Sequence, residues 1–479
     1  MTSNVSNALL TAASADPSAQ IVTIDPATGA ELARYDAMAP GDVERTLAAV
    51  HGAAGQWAAT SVAERAALLR SLAAVLRGDA DRLAALATAE MGKPLAEARG
   101  EVLKSATTAE YYAEAGPALL ANAPVDLDTP EVEAWVAQEP IGVVLAVMPW
   151  NFPIWQVMRA AIPIVMAGNG LLLKHSPNVT GSALAMREAF VAAGFPADLV
   201  GVLVVAEPDV PQTIDGLIAD PSVAAVTLTG SNRAGAAVGA AAGRAAKPSV
   251  LELGGSDPFV VLADADVAAA AAAGVKARFH NAGQSCVCAK RFVVHADVAQ
   301  EFTRRFIEGA RALVLGDPTD AATQIGPLAR ADLREVLQRQ VDESVAAGAE
   351  LAAGGRPVDG PGCFYEPTVL TGTGPGMAVF DEETFGPVAA IAVARDDDHA
   401  VELANATEFG LGLSVWSAST DHALAVARRI TSGAAFVNAI VASDPRLPFG
   451  GTKRSGYGRE LAAPGLLAFS NSRTFWVAR

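Results

Sequence analysis

Residues 143–175 read VVLAVMPWNFPIWQVMRAAIPIVMAGNGLLLKH and contain the pattern that decides the fold. A short valine-rich run, Val143–Val147, is followed by Pro153, which can open a helix, and a second apolar run follows at Leu171–Lys174. A strand, a helix and a strand in this order predict a parallel βαβ unit. Ligands of such sheets lie at the carboxyl ends of the strands, so residues just after strands are the candidates for a site.

The same alternation continues on both sides of this unit. Further runs suited to strands are Val200–Val205, Ala224–Leu228, Val250–Leu253, Phe259–Leu262, Arg291–Val294, Ala389–Val393 and Ala435–Val437, with helical segments among them. Upstream, residues 41–115 are predicted to be a run of helices, and Ser61 with Glu64 forms the capping box that begins one of them. The whole pattern predicts an α/β protein with a parallel sheet covered by helices on both faces.

The composition excludes several classes of partner. The 479 residues contain 35 Lys and Arg against 52 Asp and Glu, a net charge of −17, whereas nucleic acids and anionic membranes attract clustered basic residues. Met1–Gln20 lacks the basic start of a secretory signal, and the apolar stretch Ala161–Leu173 is shorter than the about 20 residues that cross a bilayer. We therefore expect a cytoplasmic protein that binds neither nucleic acid nor a membrane.

The three cysteines, at positions 286, 288 and 363, are too few for a disulfide scaffold. Neither they nor the six histidines have the spacing of metal ligands, so no metal site is expected. A cysteine with a role is therefore expected to be a reactive thiol. Cys286 is the candidate, since it ends the small-residue loop Asn281-Ala-Gly-Gln-Ser-Cys286 after a predicted helix. The alternative is an inert buried thiol.

Two other polar residues lie at or after the ends of predicted strands. Asn151 follows the run Val143–Val147 and precedes a helix, where its alternative role is that of an ordinary cap. Glu252 is a carboxylate within the apolar segment Leu251–Gly255, where its alternative is a buried ion pair. Together with Cys286 they supply a nucleophile, an amide donor for an oxyanion and a carboxylate that can activate water.

With these residues in place the chain resembles the aldehyde dehydrogenase family over nearly its whole length. The segments that match, in the family's order, are Met91–Pro94, Pro149–Pro153, Thr229–Ser231, Glu252–Gly255, Gly283–Cys286, Glu383–Pro387 and Pro448–Glu460. The resemblance implies that the Cys286 thiolate attacks an aldehyde and that the Asn151 amide and the Cys286 N–H hold the oxyanion. Hydride then passes to a nicotinamide cofactor, and Glu252 activates the water that hydrolyses the thioester.

The resemblance also implies a set of cofactor residues. Gly230 and Ser231 end a strand and open a helix whose N-terminus suits a pyrophosphate, although a simple helix cap is the alternative. The residues implied around the rest of the dinucleotide are Lys174 and Ser176 at the adenosine ribose, Trp150 and Leu253 at the nicotinamide, and Glu383 and Phe385 at its ribose. Members that prefer NAD carry a glutamate where this chain has Pro177, so no carboxylate there repels a 2′-phosphate, and Lys174 or His175 can attract it. NADP or NAD is expected as the cofactor, with the preference left open.

Within the family, Lys174–Asn178, Leu251–Pro258 and Ala442–Arg446 look most like the bacterial succinate-semialdehyde dehydrogenases that take NAD or NADP. The implied substrate is a four-carbon aldehyde with a distal carboxylate, bound by Arg159 and Ser443 beside Cys286. Another short semialdehyde, such as glutarate semialdehyde, is the alternative. For Arg159 itself, the alternative is a solvated or ion-paired helix residue.

Three rival functions stay open. A CoA-acylating relative would resolve the thioester with CoA, but it has no need of Glu252 as a base. A cysteine hydrolase would pair Cys286 with His280. His280 also lies where some relatives of the family have a second arginine for the substrate, and Arg278 and Arg446 are the possible stand-ins for that arginine. A non-catalytic protein on this fold has no need of Cys286 and Glu252 together. Cys288 is either a packing residue or the partner of Cys286 in a reversible disulfide.

By resemblance, the cofactor domain comprises residues 1–120 and 141–254, the catalytic domain 255–438, the loop that closes the substrate site 439–460, and an oligomerisation arm 121–140 and 461–479. Val125–Gln138 alternates loosely around Pro130, as a surface hairpin does, and Leu467–Val477 is predicted to be a strand. The edge of an exposed arm needs pairing, so a homodimer or homotetramer is expected.

Overall fold

The structure is a computed structural model that describes residues 20–129 and 131–479. The sequence predicts no secretory signal in Met1–Gln20, and of these residues only Gln20 lies within the described ranges. Pro130, for which a position in a surface hairpin is expected, lies outside them. The described chain begins with an antiparallel pair, β1 (Gln20–Ile24) and β2 (Glu31–Asp36). The helices that follow are α1 (Pro40–Trp57), α2 (Val62–Gly78), α3 (Ala80–Met91) and α4 (Leu95–Leu119). They confirm the helical run predicted over residues 41–115.

Local signals in the sequence account for where these helices begin and end. Ser61 Oγ accepts the Glu64 N–H at 3.2 Å, and Glu64 Oε2 accepts the Ser61 N–H at 2.9 Å, which confirms the capping box of α2. Helix α3 ends because Gly92 adopts a φ of 79°, a left-handed conformation that glycine tolerates. This turn directs Lys93 into the interior, next to α4.

The first sheet contains β5 (Val143–Met148), β6 (Gly170–His175), β7 (Val200–Leu203), β8 (Val223–Thr229), β9 (Ser249–Glu252) and β19 (Gly456–Tyr457). Their order is β19-β9-β8-β5-β6-β7, and every neighbouring pair is parallel except β19 with β9. The connecting helices are α5 (Trp155–Met166), α6 (Thr180–Ala192), α7 (Val210–Ala219) and α8 (Asn232–Arg244). The loop expected over residues 439–460 thus includes β19, which is too short for a sequence pattern to reveal.

The second sheet contains β10 (Asp257–Val261), β11 (Ala289–His295), β12 (Glu350–Ala353), β13 (Thr368–Thr371), β14 (Val388–Ala394), β16 (Ser414–Trp416) and β17 (Phe436–Val437). Their order is β12-β13-β14-β11-β10-β16-β17, parallel except at β12. Its helices are α9 (Val267–Phe279), α10 (Ala296–Arg311), α11 (Ala331–Ala346), α12 (Ala378–Asp381), α13 (Asp397–Asn405) and α14 (Thr420–Ala427). A small pair, β15 (Phe409–Gly410) and β18 (Thr452–Lys453), lies apart.

A third sheet forms an arm from β3 (Ala123–Val125), β4 (Val132–Pro140) and β20 (Ser470–Ala478), with α15 (Ala462–Leu467) before the last strand. All its pairs are antiparallel, in the order β20-β4-β3. Trp135 stacks on Phe475 with ring centroids 4.9 Å apart, whereas Trp476 is 61% exposed. The segment expected to be an arm thus pairs with the C-terminal strand and leaves apolar side chains uncovered.

The two large sheets position the candidate site residues. Strands β5 and β6 are buried on both faces by flanking helices, as the continuous apolar runs predict. Their carboxyl ends, those of β8 and β9, and the loop before β11 carry most of the polar residues named above. Among residues 20–129 and 131–479, no helix is both long and apolar enough to cross a membrane.

Candidate active site

Cys286 ends a buried loop whose backbone is held in an unusual shape. The loop leaves α9 through Asn281 and Ala282, whose φ angles of 53° and 52° lie in the left-handed region, which costs about 1–2 kcal/mol for each non-glycine residue. Gly283 follows with a φ of 74°, and a side chain there would collide with the Gly386 carbonyl. Such strain persists only where the surroundings enforce it, and it is common at functional sites.

Two buried cations hold this loop. The Arg278 guanidinium donates to the carbonyl oxygens of Gly283 at 3.0 Å and Ala289 at 3.2 Å. Lys290 Nζ donates to the Cys286 carbonyl at 2.8 Å. Arg278 is therefore occupied by backbone carbonyls, and the expectation that it stands in for a substrate arginine is not met.

The Cys286 thiol is half-buried in an environment with both apolar and charged neighbours. Burial raises its pKa to about 12, while the positive charges of Arg159 and Lys290 lower it. The thiol is consequently protonated in the resting site near neutral pH, and a proton has to leave when the sulfur attacks a carbonyl.

The Asn151 side chain lies against the same loop. Its Nδ2 donates to the Gln284 carbonyl at 3.1 Å, and its own backbone carbonyl accepts from Asn281 Nδ2 at 2.8 Å. One Nδ2 hydrogen is left over. Within the described ranges, the Cys286 N–H has no acceptor either. These two uncommitted donors beside a sulfur nucleophile have the composition of an oxyanion hole.

The turn that carries Asn151 is fixed by a buried ion pair. Glu101 Oε1 accepts the N–H of Ile154 at 2.7 Å and of Trp155 at 2.8 Å, where α5 begins. Lys93 pairs with the same carboxylate in a fully buried contact. The matched segment around Lys93 is thus explained, because its lysine compensates the charge that orients the start of α5.

Glu252 is the last residue of β9 and is only 2% exposed. Neither of its carboxylate oxygens has a hydrogen-bond partner in the part of the chain that the structure describes. Burial and the charge of Glu460 raise the pKa of Glu252 well above its usual range, whereas Arg159 and Arg459 lower it. A side chain at Gly450 would lie 2.5 Å from Glu252 Oε1, so this glycine leaves room beside the carboxylate. A carboxyl group in this state is suited to accept a proton near neutral pH.

Arg159 is placed differently from the sequence-based expectation. It is buried in α5 and forms an ion pair with Glu460. Its guanidinium also donates to Thr229 Oγ1 at 3.1 Å and lies 4.7 Å from the centroid of the Phe449 ring. The ion-paired alternative is what the structure contains. Binding of a substrate carboxylate by Arg159 stays a prediction, and that carboxylate would have to share the arginine with Glu460.

The carboxyl edge of the first sheet can accommodate a dinucleotide. Lys174 lies at the end of β6 and Gly230 just after β8, with β5 between these strands. Ser231 caps α8, its Oγ accepting the Ala234 N–H at 3.3 Å, so the helix N-terminus faces this edge. Burial lowers the pKa of Lys174, and the negative charge of Glu207 partly opposes this shift. No carboxylate within residues 20–129 and 131–479 forms an ion pair with Lys174. An anionic, hydroxyl-rich ligand therefore fits these residues.

Beside Lys174, Ser176 Oγ donates to Asn178 Oδ1 at 2.7 Å, and Pro177 begins a short 3-10 turn. His175 is turned inward, contrary to the expectation that it can attract a phosphate. Its Nε2 lies 2.9 Å from the Pro153 carbonyl, and its Nδ1 accepts the Ser176 N–H at 3.0 Å. Burial lowers the pKa of His175 to about 4, so the ring is neutral and serves to hold the turn.

The residues implied at the nicotinamide end lie near the cysteine loop. Trp150 and Phe385 pack edge to face, with centroids 5.6 Å apart. Glu383 Oε1 lies 3.2 Å from Lys290 Nζ, which also holds the loop. Leu253 packs against α8. The contact with Lys290 places Glu383 beside the cysteine loop, and the roles of all four residues in cofactor binding stay predictions.

Ser443 accepts a hydrogen bond from Lys104 Nζ at 2.6 Å. Arg446, the other proposed stand-in, is exposed and paired with Asp444 at 2.7 Å.

No group of three or more His, Cys, Asp or Glu residues within the described ranges is arranged to hold a metal ion.

His280 and Cys288 are each candidate partners of Cys286, and neither pairing is observed in the described structure. His280 Nε2 lies 3.7 Å from Glu97 Oε2, and no hydrogen bond joins it to Cys286 in the described structure. Burial lowers the pKa of His280 to about 4. Cys288 Sγ lies 3.8 Å from the His280 carbonyl, and both thiols are free. The disulfide switch stays a prediction.

Several residues of the site were missed by the sequence analysis. They are Lys104, Glu101, Lys290 and Glu460. Lys290 and Glu460 are charged residues inside or beside apolar segments, the same signal that pointed to Glu252. Lys104 gives no such signal, because it follows Leu103 in an ordinary amphipathic helix.

Comparison with known proteins gives consistent results. The sequence profile described as the aldehyde dehydrogenase family matches residues 13–475. The succinate semialdehyde dehydrogenase (NAD(P)+) Sad of Escherichia coli strain K12 is 46% identical over 463 residues, covering 97% of this chain and 99% of that protein. The succinate-semialdehyde dehydrogenase (NADP(+)) 1 of Mycobacterium ulcerans strain Agy99 is 46% identical over 459 residues, covering 95% and 99%.

Solved structures agree as well. The succinic semialdehyde dehydrogenase of Streptococcus pyogenes in complex with NADP+ superposes with a TM-score of 0.92 at 36% identity, covering 96% of this chain and 100% of that one. The structure of succinate-semialdehyde dehydrogenase from Burkholderia pseudomallei superposes with a TM-score of 0.93 at 34% identity, covering 96% of this chain and 95% of that one. The predicted α/β fold class is confirmed.

Proposed function

The chain belongs to the aldehyde dehydrogenase family, and we propose that it oxidises succinate semialdehyde to succinate with NADP or NAD as the cofactor. The observation that carries the reaction is the hydrogen bond from Asn151 to the Gln284 carbonyl, which puts an amide donor two residues from Cys286. The choice of substrate is supported by relatives with that name that are 46% identical over nearly the whole chain.

In the first step, the Cys286 sulfur attacks the aldehyde carbon as its thiol proton passes to water. The aldehyde oxygen becomes negative and accepts hydrogen bonds from Asn151 Nδ2 and the Cys286 N–H. The positive charges of Arg159 and Lys290 favour the thiolate over the thiol. When bound, the nicotinamide dinucleotide supplies the acceptor for the hydride that the oxidation removes.

In the second step, the acyl group is attached to Cys286 as a thioester. Glu252 takes a proton from a water molecule as the water oxygen attacks the acyl carbon. The bond to sulfur then breaks, the acid leaves, and the Cys286 sulfur regains the proton that Glu252 took from the water. The unpartnered carboxylate and the open space beside Gly450 support this role for Glu252.

We further propose that the arm sheet joins copies of the chain into a homodimer or homotetramer. The exposed Trp476 supports this assignment, as do the outer edges of β3 and β20, which pair with no other strand among the described residues. The division into cofactor, catalytic and arm segments, and the cytoplasmic location, are proposed on the same resemblance.

The function is tested with a steady-state panel of succinate semialdehyde, glutarate semialdehyde and the uncharged four-carbon aldehyde butanal, each with NAD and with NADP. We expect the highest kcat/KM with succinate semialdehyde. A higher kcat/KM with butanal would overturn the assignment of substrate. An acyl-CoA product formed when CoA is added would overturn the hydrolytic step.

A matched pair of cysteine variants controls for the nucleophile. Cys286→Ala is expected to abolish turnover, whereas Cys288→Ala, which changes a buried thiol two residues away, is expected to retain it. Turnover by the Cys286 variant would remove the cysteine from the mechanism.

A further inference from the structure

Lys104 is a cation that the reaction scheme above does not use. It lies on α4, and its Nζ is 2.6 Å from Ser443 Oγ, in the loop 439–460 at the other end of the chain. The ammonium also lies 4.6 Å from the centroid of the Trp155 ring on α5. Three segments distant in sequence therefore surround this single charge.

The position of Lys104 is electrostatically coupled to the nucleophile. Burial, helped by the positive charge of Arg159, lowers the pKa of Lys104 to about 8, and the negative charges of Glu101, Asp444 and an ionised Cys286 oppose this shift. An ammonium withdrawn from water near the reacting sulfur is costly unless an anion accompanies it.

The other buried cations of the site already have partners, and three of them have a carboxylate, whereas Arg278 is held by backbone carbonyl oxygens. Lys93 pairs with Glu101, Arg159 with Glu460, and Lys290 with Glu383. Lys104, in contrast, has no carboxylate at ion-pair distance anywhere in residues 20–129 and 131–479.

The nearest acid in the loop does not fill this role. Asp444 raises the pKa of Lys104 through its charge, but its carboxylate is held by Arg446 through hydrogen bonds of 2.7 and 2.8 Å. The charge of Lys104 thus remains available to a ligand.

The contact with Ser443 also creates a second donor. Because Ser443 Oγ accepts from the ammonium, its own hydroxyl hydrogen is free to donate, and no acceptor for it is present in the described chain. An ammonium and a hydroxyl whose N and O atoms lie 2.6 Å apart, each with a hydrogen left to donate, can bind the two oxygens of one carboxylate.

We propose that Lys104 binds the distal carboxylate of the semialdehyde, beside the Ser443 hydroxyl to which the family resemblance already assigns that role, and thereby selects acid-ended aldehydes. This inference rests on the proposed function and specifies the residue that discriminates. In this proposal Arg159 does not itself bind the substrate carboxylate, because Glu460 offsets its positive charge.

The test compares succinate semialdehyde with butanal in wild type, Lys104→Met, Lys104→Arg and Ser443→Ala. Lys104→Met is expected to raise KM for succinate semialdehyde by about 10- to 100-fold, the range for loss of one charge-assisted contact. Its KM and kcat for butanal are expected to stay within about threefold of wild type. Lys104→Arg is expected to restore most of the preference, and Ser443→Ala to lose part of it.

Lys276→Met is the matched control, because Lys276 is an exposed lysine whose charge is also felt at His280, near the cysteine loop. It is expected to leave the ratio of the two KM values unchanged. A second measurement, independent of turnover, is the calorimetric affinity for the product succinate, which Lys104→Met is expected to weaken and Lys276→Met to preserve.

Two failures are distinguishable. A wild-type enzyme that does not prefer succinate semialdehyde over butanal overturns the proposed function and this inference with it. A wild-type enzyme that has the preference, combined with a Lys104→Met variant that keeps it or loses both substrates equally, overturns this inference alone. A selective loss in Arg159→Gln with none in Lys104→Met likewise overturns it, in favour of the arginine.

Discussion

Replacing Asn151 by alanine removes one of the two donors available to the oxyanion. The remaining donor is the Cys286 N–H, so the negative oxygen keeps only one of these two hydrogen bonds at the moment when charge develops. Removal of one such donor typically lowers kcat by about 10²–10³-fold, or about 2.7–4 kcal/mol of transition-state stabilisation. We expect Asn151→Ala to fall in this range.

The same change is expected to cost little stability. The Asn151 side chain makes one hydrogen bond, to the Gln284 carbonyl, and this carbonyl still accepts from Asn281 Nδ2 at 3.1 Å. The loss is therefore about 1 kcal/mol, the usual net value of one hydrogen bond. Asn281→Ala provides the contrast, because it removes two hydrogen bonds and puts alanine at a φ of 53°. For that variant we expect a loss of about 3 kcal/mol.

The assay measures kcat for succinate semialdehyde, the affinity for the nucleotide by fluorescence titration, and the melting temperature of each protein. Asn151→Ala is expected to combine a large loss of kcat with a small shift in melting temperature and an unchanged affinity for the nucleotide. A kcat within about threefold of wild type, or a kcat loss fully matched by unfolding, would refute the oxyanion assignment.

Four further outcomes are expected. Glu252→Gln should retain a rapid burst of about one equivalent of reduced nucleotide per site but slow the steady state, because the thioester forms and is not hydrolysed; a normal steady-state rate would remove Glu252 as the base. Since burial and Glu460 raise the pKa of Glu252, wild-type kcat should rise with pH through a value well above 4.5, and stopped-flow measurement across pH checks this. Burial raises the pKa of Glu97 from 4.5 to about 7. Between these two pH values the folded state binds a proton that the unfolded chain releases, so the free energy of unfolding falls as the pH rises from 4.5 to 7. Glu97→Gln should therefore raise the free energy of unfolding by up to about 3 kcal/mol at about pH 8 and hardly at all at about pH 4; equal effects at both would contradict the shift. Trp476→Asp in the arm should lower the mass measured by light scattering, whereas a wild-type monomer would contradict the proposed assembly.

Two predicted strands correspond closely to the observed ones because each is a short apolar run that is buried in the first sheet. The sequence predicts strands at Leu171–Lys174, where β6 spans Gly170–His175, and at Val143–Val147, where β5 spans Val143–Met148. The two-residue strand β19 escaped prediction because its pairing with β9 depends on a neighbour far along the chain, not on its own composition.

The side chains of the site were less predictable than the strands. Arg159 and His175 are both polar residues that sequence comparison suggested for ligands, yet each is satisfied inside the protein, by Glu460 and by the Pro153 carbonyl respectively. A buried polar group takes whichever partner packing brings within reach, and that partner cannot be read from the residue's own neighbours in sequence.

The order of the motifs along the chain determined the fold and nominated a cysteine, an amide and a carboxylate, because periodicity and strand-end position are properties of local sequence. The tertiary structure alone decided which cations keep their charge available and which are neutralised. That distinction depends on contacts such as the one between Lys104 and Ser443, whose separation of 339 positions no local pattern spans, and on how far each charge is withdrawn from water.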